Sequence, residues 1–210
     1  MLHPASRVAF ISPQVGHGAV ATEFIPAGTI VWVRDALDQT LTGAQVMRMP
    51  AALQRQLKIY SYRDRAGARV LCWDHARFLN HSCQPNCLSP GWEFEIAVRD
   101  IEPGEQFTDD YGSLNLEEVL MCSCGHERCR GRVGPGDFEP QIDDWDRALS
   151  VAMALIPSVS QPLWELLEDP QEVLDVAAGV RPLRSAGEHL WSAVDPAVLR
   201  KPRTAARSPR

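Results

Sequence analysis

Residues 77–87 read Arg77-Phe78-Leu79-Asn80-His81-Ser82-Cys83-Gln84-Pro85-Asn86-Cys87. Asn-His-Ser-Cys-x-Pro-Asn sets hydrogen-bonding side chains and a proline where a plain connection between strands needs none of them, so it reads as part of a site. Upstream, Arg7 to Ile11, Ala19 to Ala21 and Thr29 to Val33 are short apolar runs broken by Gly16, Gly18, Pro26 and Gly28, the pattern of strands and turns. Further strands are expected at Ile59 to Arg63 and at Arg69 to Cys72. Two short helices precede them: Thr42 with Gln45 makes a capping-box pattern, and Pro50 suits the first turn of a helix running towards Leu57. Downstream, Trp92, Phe94, Ile96 and Val98 alternate with Glu93, Glu95 and Ala97, the period of a strand with one buried face. The fold class is therefore mainly β in this part of the chain.

Two other patches stand out. Gly16-His17-Gly18 ends a strand and by itself needs to be no more than a turn, since glycine tolerates positive φ. Gly104-Glu105-Gln106-Phe107-Thr108-Asp109-Asp110-Tyr111-Gly112 closes the β-rich part. A short cysteine-rich module runs from there to about Gly136 and is too small for a core of its own. Cys122, Cys124 and Cys129 offer three thiolates on a glycine-punctuated loop, one ligand short of four-coordinate zinc. Beyond Asp137 the chain turns helical: Trp145, Ala148, Leu149, Ala152 and Ile156 follow the 3.6 period until Pro157, and Asp169-Pro170 with Glu172, then Ser185 with Glu188, mark two more starts.

The balance of residues narrows the function classes. The 210 residues are 45% apolar and 23% charged, with six cysteines and a formal net charge of -6. That length allows one full domain plus an appendage. The acidic balance argues against broad binding to phosphate backbones and suits a cationic protein partner, so no direct nucleic-acid contact is expected. No apolar run reaches the ~20 residues that span a bilayer, and the N-terminal Met1-Leu2-His3-Pro4 lacks the pattern of a secretory signal, so a cytoplasmic or nuclear protein that is neither secreted nor membrane-bound is expected. In such a compartment clustered cysteines bind metal more often than they form disulfides. Lysine occurs only at Lys58 and Lys201.

The three patches, in this order and at these separations, together with Cys122-Ser123-Cys124-Gly125-His126-Glu127-Arg128-Cys129, resemble the signature of SET-domain protein lysine methyltransferases with a post-SET zinc motif. The resemblance covers residues from about 7 to 132. It implies a SET-domain β-clip fold with pseudoknot-like C-terminal threading over residues 1–114 and a post-SET zinc module over 115–136; the helical C-terminal appendage over 137–199 and the basic, disordered tail over 200–210, read from periodicity and composition, lie outside it. It also implies S-adenosylmethionine as cofactor and a lysine-containing basic protein, histone or ribosomal, as substrate. On the same ground Tyr111 is the catalytic tyrosine, with its hydroxyl at the amine and the transferring methyl, and Gly16, His17, Gly18, Asn80 and His81 hold the cofactor. Cys83 joins Cys122, Cys124 and Cys129 on zinc, with His126 as the runner-up. Tyr60 and Tyr62 lie where the family puts channel tyrosines; as strand residues two apart they face one side, and they either line the lysine passage or pack in the core. Cys72 and Cys87 are assigned to packing.

Methyl transfer from a sulfonium is an in-line displacement, so a protein must chiefly align donor and amine and render the amine neutral; no acid or base pair is needed, and none stands out in the sequence. Asp109 departs from the Phe or Tyr that many members carry before the aspartate-tyrosine pair, and either hydrogen-bonds the amine or turns outward. From Asp100 to Glu118 there are seven acidic residues and no basic one, either a field for a cationic peptide or a solvated loop. The rival reading is a zinc-stabilised SET-fold interaction module without turnover. Lys201, in its basic context, is a candidate for self-modification. Substrate identity, degree of methylation and oligomeric state are not legible.

Overall fold

The computed structural model describes residues 1–191, so the basic run from Arg200 through Lys201 to Arg210, with the expectations attached to it, lies outside the described residues. Strands β1 (Ser6–Ser12) and β2 (Gly16–Ala21) form an antiparallel hairpin with a register break between Phe10 and Ser12, and Gly16 at φ +83° leads out of the turn. Strand β3 (Ile30–Val33) is followed by β4 (Gln39–Leu41), then by α1 (Gly43–Met47) and α2 (Ala51–Tyr60). Thr42 and Gln45 cap α1 reciprocally, as their spacing predicts. Strands β5 (Ser61–Arg63) and β6 (Arg69–Leu71) complete a sheet of order β4-β6-β5.

After β7 (Asn80–His81) and β8 (Cys87–Leu88), strand β9 (Phe94–Ala97) lies between β3 and β8. The alternation around β9 predicts one buried face, but all four residues are buried. Phe94 and Ile96 enter a core shared with the C-terminal helices, while Ala97 enters a second core with Val31, Ile101 and Phe107, and Glu95 is buried as well. The alternation predicts a solvent-facing Glu95, and the structure turns it into the protein.

The remaining strands and α-helices among the described residues are β10 (Thr108–Asp109), the pair β11 (Leu120–Met121) and β12 (Arg132–Val133), α3 (Phe138–Leu155) and α4 (Pro170–Ala177). Helix α3 buries Phe138, Trp145, Leu149, Ala152 and Met153 against β3, β8 and β9, one stripe at helical spacing. The contact is close: a Cβ on Gly28 (φ +90°) would lie 2.5 Å from that of Leu155. Gln161 completes it, donating to the Gly28 carbonyl (2.7 Å) and accepting from the Ile30 N–H (2.8 Å). Asp169 caps α4 at the Glu172 N–H (2.9 Å), whereas Ser185 starts only a single 3-10 turn, accepting from Gly187. The mainly β architecture with helices at its C-terminal end agrees with the expected fold class.

Candidate active site

Strands β7 and β10 run parallel, pairing Asn80 with Thr108 and His81 with Asp109. The chain beyond Phe107 therefore passes beside the Asn80 segment, and the Ser82 N–H extends the ladder to the Asp109 carbonyl (2.9 Å). Asn86, fully buried, locks the crossing by donating to the Gln106 carbonyl (2.8 Å) and accepting from the Thr108 N–H (2.8 Å). That accounts for the second asparagine of the quoted motif, and satisfies a carboxamide that would be costly to bury alone. Asn80 donates to the His17 carbonyl (3.2 Å) and to Gln106 Oε1 (2.9 Å), so it binds the glycine-rich strand to the same crossing. Gly18 is fixed by that approach, because a Cβ there would stand 2.6 Å from Gln106 Oε1 and 2.7 Å from Asn80 Nδ2. Gly16 faces open space.

Tyr111 follows β10 directly. Its hydroxyl donates to the Leu79 carbonyl (2.7 Å), and its N–H donates to His81 Nδ1 (3.1 Å). An acceptor role at Nδ1 puts the ring proton of neutral His81 on Nε2, which lies 3.3 Å from Cys83 Sγ. Burial, with the charges of Asp109 and Glu95, pushes the Tyr111 phenol well above its ordinary value, so it stays a hydroxyl at neutral pH. Asp110, to which the sequence assigns no role of its own, anchors this turn. It accepts from the Gly112 N–H (2.9 Å), from the Trp145 indole (3.3 Å) and from the Arg130 guanidinium, so one carboxylate ties Tyr111 to α3 and to the cysteine module.

Tyr60, Tyr62, Asn80, His17 and Tyr111 all line one cavity of about 660 Å³, together with Gly16 and His81. Tyr60 is the last residue of α2, and Tyr62 sits on β5, so the expectation of two strand residues sharing a face is corrected. The helix continues through Ile59 because Leu57 is buried beneath it, and the Ser61 N–H closes it on the Leu57 carbonyl. The two rings still reach the cavity by separate routes, Tyr60 edge-on to Phe78 (5.7 Å between centroids) and Tyr62 edge-on to Trp32 (6.0 Å). His17 is exposed and packs edge-on against Phe10 (5.8 Å).

Asp109 turns inward. It is 5% exposed, Glu95 is 6% exposed, and both line the cavity. Burial raises Glu95 to about 7 and lifts Asp109 well above the usual carboxylate range, the nearby Glu95 and Asp110 charges adding to the effect. The sequence reading, in which no acid pair stands out, is therefore corrected: β9 and β10 bring one together. Of the two readings of the acidic stretch, the free field for a cationic peptide loses ground, since much of the stretch is internally paired. Glu105 meets Arg99 (2.5 Å), Glu117 clamps Arg63 and Arg69, Glu118 meets Lys58 (2.6 Å) and Asp110 meets Arg130. Little free field remains for a cationic peptide.

Cys83, Cys122, Cys124 and Cys129 converge, their sulfurs all within 4.8 Å of one another. Tetrahedral zinc with Zn–S of about 2.3 Å needs sulfurs about 3.8 Å apart; Cys83 to Cys122 is 3.7 Å and Cys122 to Cys129 is 3.5 Å. The donor set fits the ion. Backbone N–H groups point at it, Arg130 to Cys83 (3.3 Å) and Gly131 to Cys129 (3.4 Å), as thiolates require. Although burial opposes it, the amides of Cys83 and His126 bring the Cys124 thiol down to about 7. His126 is exposed and outside this group, while Cys72 and Cys87 are buried in the second core.

Residues 16–112 match the family model for the SET domain. The chain carries a SET domain. It is similar to the histone-lysine N-methyltransferase ASHR3 of Arabidopsis thaliana, 42% identical over 72 residues that make up 31% of this chain and 14% of the relative. ATX2, a histone-lysine N-methyltransferase of the same plant, is 34% identical over 114 residues, 45% of this chain and 10% of the relative. The trithorax histone-lysine N-methyltransferase of Drosophila virilis is 47% identical over 62 residues, 26% of this chain and 2% of the relative. The chain thus spans only a small part of these relatives. Among solved structures, the methyltransferase domain of human histone-lysine N-methyltransferase SETMAR aligns with a TM-score of 0.43 and 23% identity, over 64% of this chain and 59% of that one. The matched span includes Gly16, Asn80, His81 and Tyr111, and the SET domain ends where the cysteine module begins to fold back on Cys83.

Proposed function

We propose that this chain transfers a methyl group from S-adenosylmethionine to the ε-amine of lysine in a basic protein. The observation that carries this reading is the parallel crossing of β7 and β10, which brings Asn80, Tyr111 and the Gly16–Gly18 strand to one cavity. Asn80, His81 and the backbone of Gly16, His17 and Gly18 hold the cofactor; Gly16, with open space where a side chain would stand, leaves room for close backbone approach. When bound, the cofactor supplies an electrophilic methyl on a cationic sulfur.

The protein's own contribution begins with the amine. Lysine titrates near ~10.4 in water, and an aromatic, poorly hydrated passage disfavours its ammonium form, which yields the nucleophile without a strong base. Tyr60 and Tyr62 wall that passage. Tyr111 stays protonated and is held by the Leu79 carbonyl, so it acts as an oriented dipole beside the reacting atoms and not as a base. Zinc on Cys83, Cys122, Cys124 and Cys129 fastens residues 115–136 to the loop bearing His81, and a cytoplasmic or nuclear setting keeps these thiols reduced.

Incubation of the zinc-loaded chain with methyl-labelled cofactor and a panel of core histones and ribosomal proteins tests the reading. Labelled methyllysine in the hydrolysate is expected; bound cofactor with no label on any protein would favour the interaction module instead.

A further inference from the structure

Carboxyl oxygens buried without a donor are rare, and the cavity wall holds two. Glu95 Oε2 and Asp109 Oδ1 are buried and have no hydrogen-bond partner, although each carboxyl is more than nine-tenths buried. The two carboxyls, one on β9 and one on β10, lie close enough to shift one another's protonation. The Tyr62 hydroxyl and the Trp32 indole N–H, in the same lining, are also unpartnered. Such groups have lost water without gaining a replacement, a state that native proteins rarely hold without a ligand or a function. Two acceptors call for a donor-rich group, and an alkyl amine is one that carries donors and no acceptor when protonated. The pair lines the same cavity as Tyr111, whose phenol its charge raises, so it borders the place where the amine reacts under the proposed function.

We propose that Glu95 and Asp109 form a proton-sharing carboxyl pair that receives the substrate amine through two N–H bonds and thereby favours lysine bearing no methyl. The inference rests on the methyl-transfer reading and deepens it. In its neutral, attacking form an unmethylated lysine offers two N–H bonds, a monomethyl lysine one and a dimethyl lysine none. Each methyl added leaves one buried acceptor unpaired again, and sites built to hydrogen-bond a group discriminate strongly against analogues that lack it. Monomethyl-lysine is the expected main product.

The test uses the full zinc-loaded chain with carboxyl carbons of Asp and Glu labelled for NMR, titrated with n-butylamine and with n-butyltrimethylammonium. Both probes are cationic at neutral pH, but the second has no N–H. n-Butylamine is expected to shift the Glu95 and Asp109 resonances with at least ten-fold higher affinity. Equal affinity, or a preference for the quaternary ion, would make the aromatic walls the receptor and overturn the proposal. Glu95→Gln and Asp109→Asn, checked for cooperative melting and full zinc content, should lose the ten-fold preference; keeping it would also overturn the proposal. The wild-type titration decides even if a variant fails to fold. The two readings separate cleanly: label transferred to lysine while both carboxyls ignore n-butylamine sinks this proposal alone. Carboxyls that respond as expected in a chain transferring no label support the amine receptor and remove the methyl-transfer reading.

Discussion

The SET domain and the cysteine module that follows it are held by different physics. In the first, Ile25, Ile30, Val31, Ile96, Ile101 and Phe107 are essentially inaccessible to water, and release of apolar surface from solvent drives folding. In residues 115–136, Val133 and Gly134 are the buried positions, Met121 is 85% exposed, and the sulfurs of Cys122, Cys124 and Cys129 with that of Cys83 are what converge. The lesson is that one candidate site is assembled on two supports, an apolar core beneath Asn80 and a cluster of candidate metal ligands behind His81. They should fail independently.

Removing the metal is the largest expected perturbation. Structural zinc contributes on the order of 10 kcal/mol in small modules; chelation, or Cys124→Ser, should abolish zinc content and amide protection across residues 115–136. Protection in β3 and β9 should survive. Hydrogen exchange followed by mass spectrometry reads both regions at once, and simultaneous loss would break the contrast. Ile96→Ala perturbs the other support. Deleting a fully buried side chain between two packed layers should cost about 2–5 kcal/mol in denaturant unfolding, with zinc stoichiometry unchanged.

A smaller effect comes from the acid pair. Glu95 in the folded chain titrates at about 7 against an ordinary value of 4.5, so between those pH values the folded state binds the extra proton. Stability should therefore fall as pH rises from 4.5 to 7, by on the order of 3 kcal/mol, and stay lower above it. Asp109, Asp110, Tyr111 and Cys87 are the other ionisable groups acting in this region. Glu95→Gln should flatten the profile measured by urea denaturation at successive pH values. Least of all, Glu117→Gln should cost under about 1 kcal/mol, because its carboxylate is 44% exposed even while it clamps Arg63 and Arg69. A loss of several kcal/mol would mean that this ion pair, and not the apolar layer, holds β5 and β6.

Much of this site is legible in the sequence where its signal is local. Asn80, His81, Tyr111 and the four cysteines are named by short motifs, and the first three line one cavity while the cysteine sulfurs form one cluster. What escapes is what depends on distant partners. Glu95 looks like the outer position of a half-buried strand until β10 sets Asp109 against it. Asp110 looks like one more acid until Arg130, Trp145 and Gly112 turn towards it. Glu117 and Glu118 look like a free field until Arg63, Arg69 and Lys58 reach them. Tyr60 is misplaced because Ile59-Tyr60 suits a strand by composition, while burial of Leu57 keeps the helix going for three more residues.

The most direct test of the central claim compares the wild-type chain with Tyr111→Phe in transfer of labelled methyl from S-adenosylmethionine to lysine, with cofactor affinity and zinc content measured on the same samples. The account predicts label on lysine that falls on the order of 100-fold in the variant while cofactor and zinc stay bound. Undiminished transfer by Tyr111→Phe would contradict it.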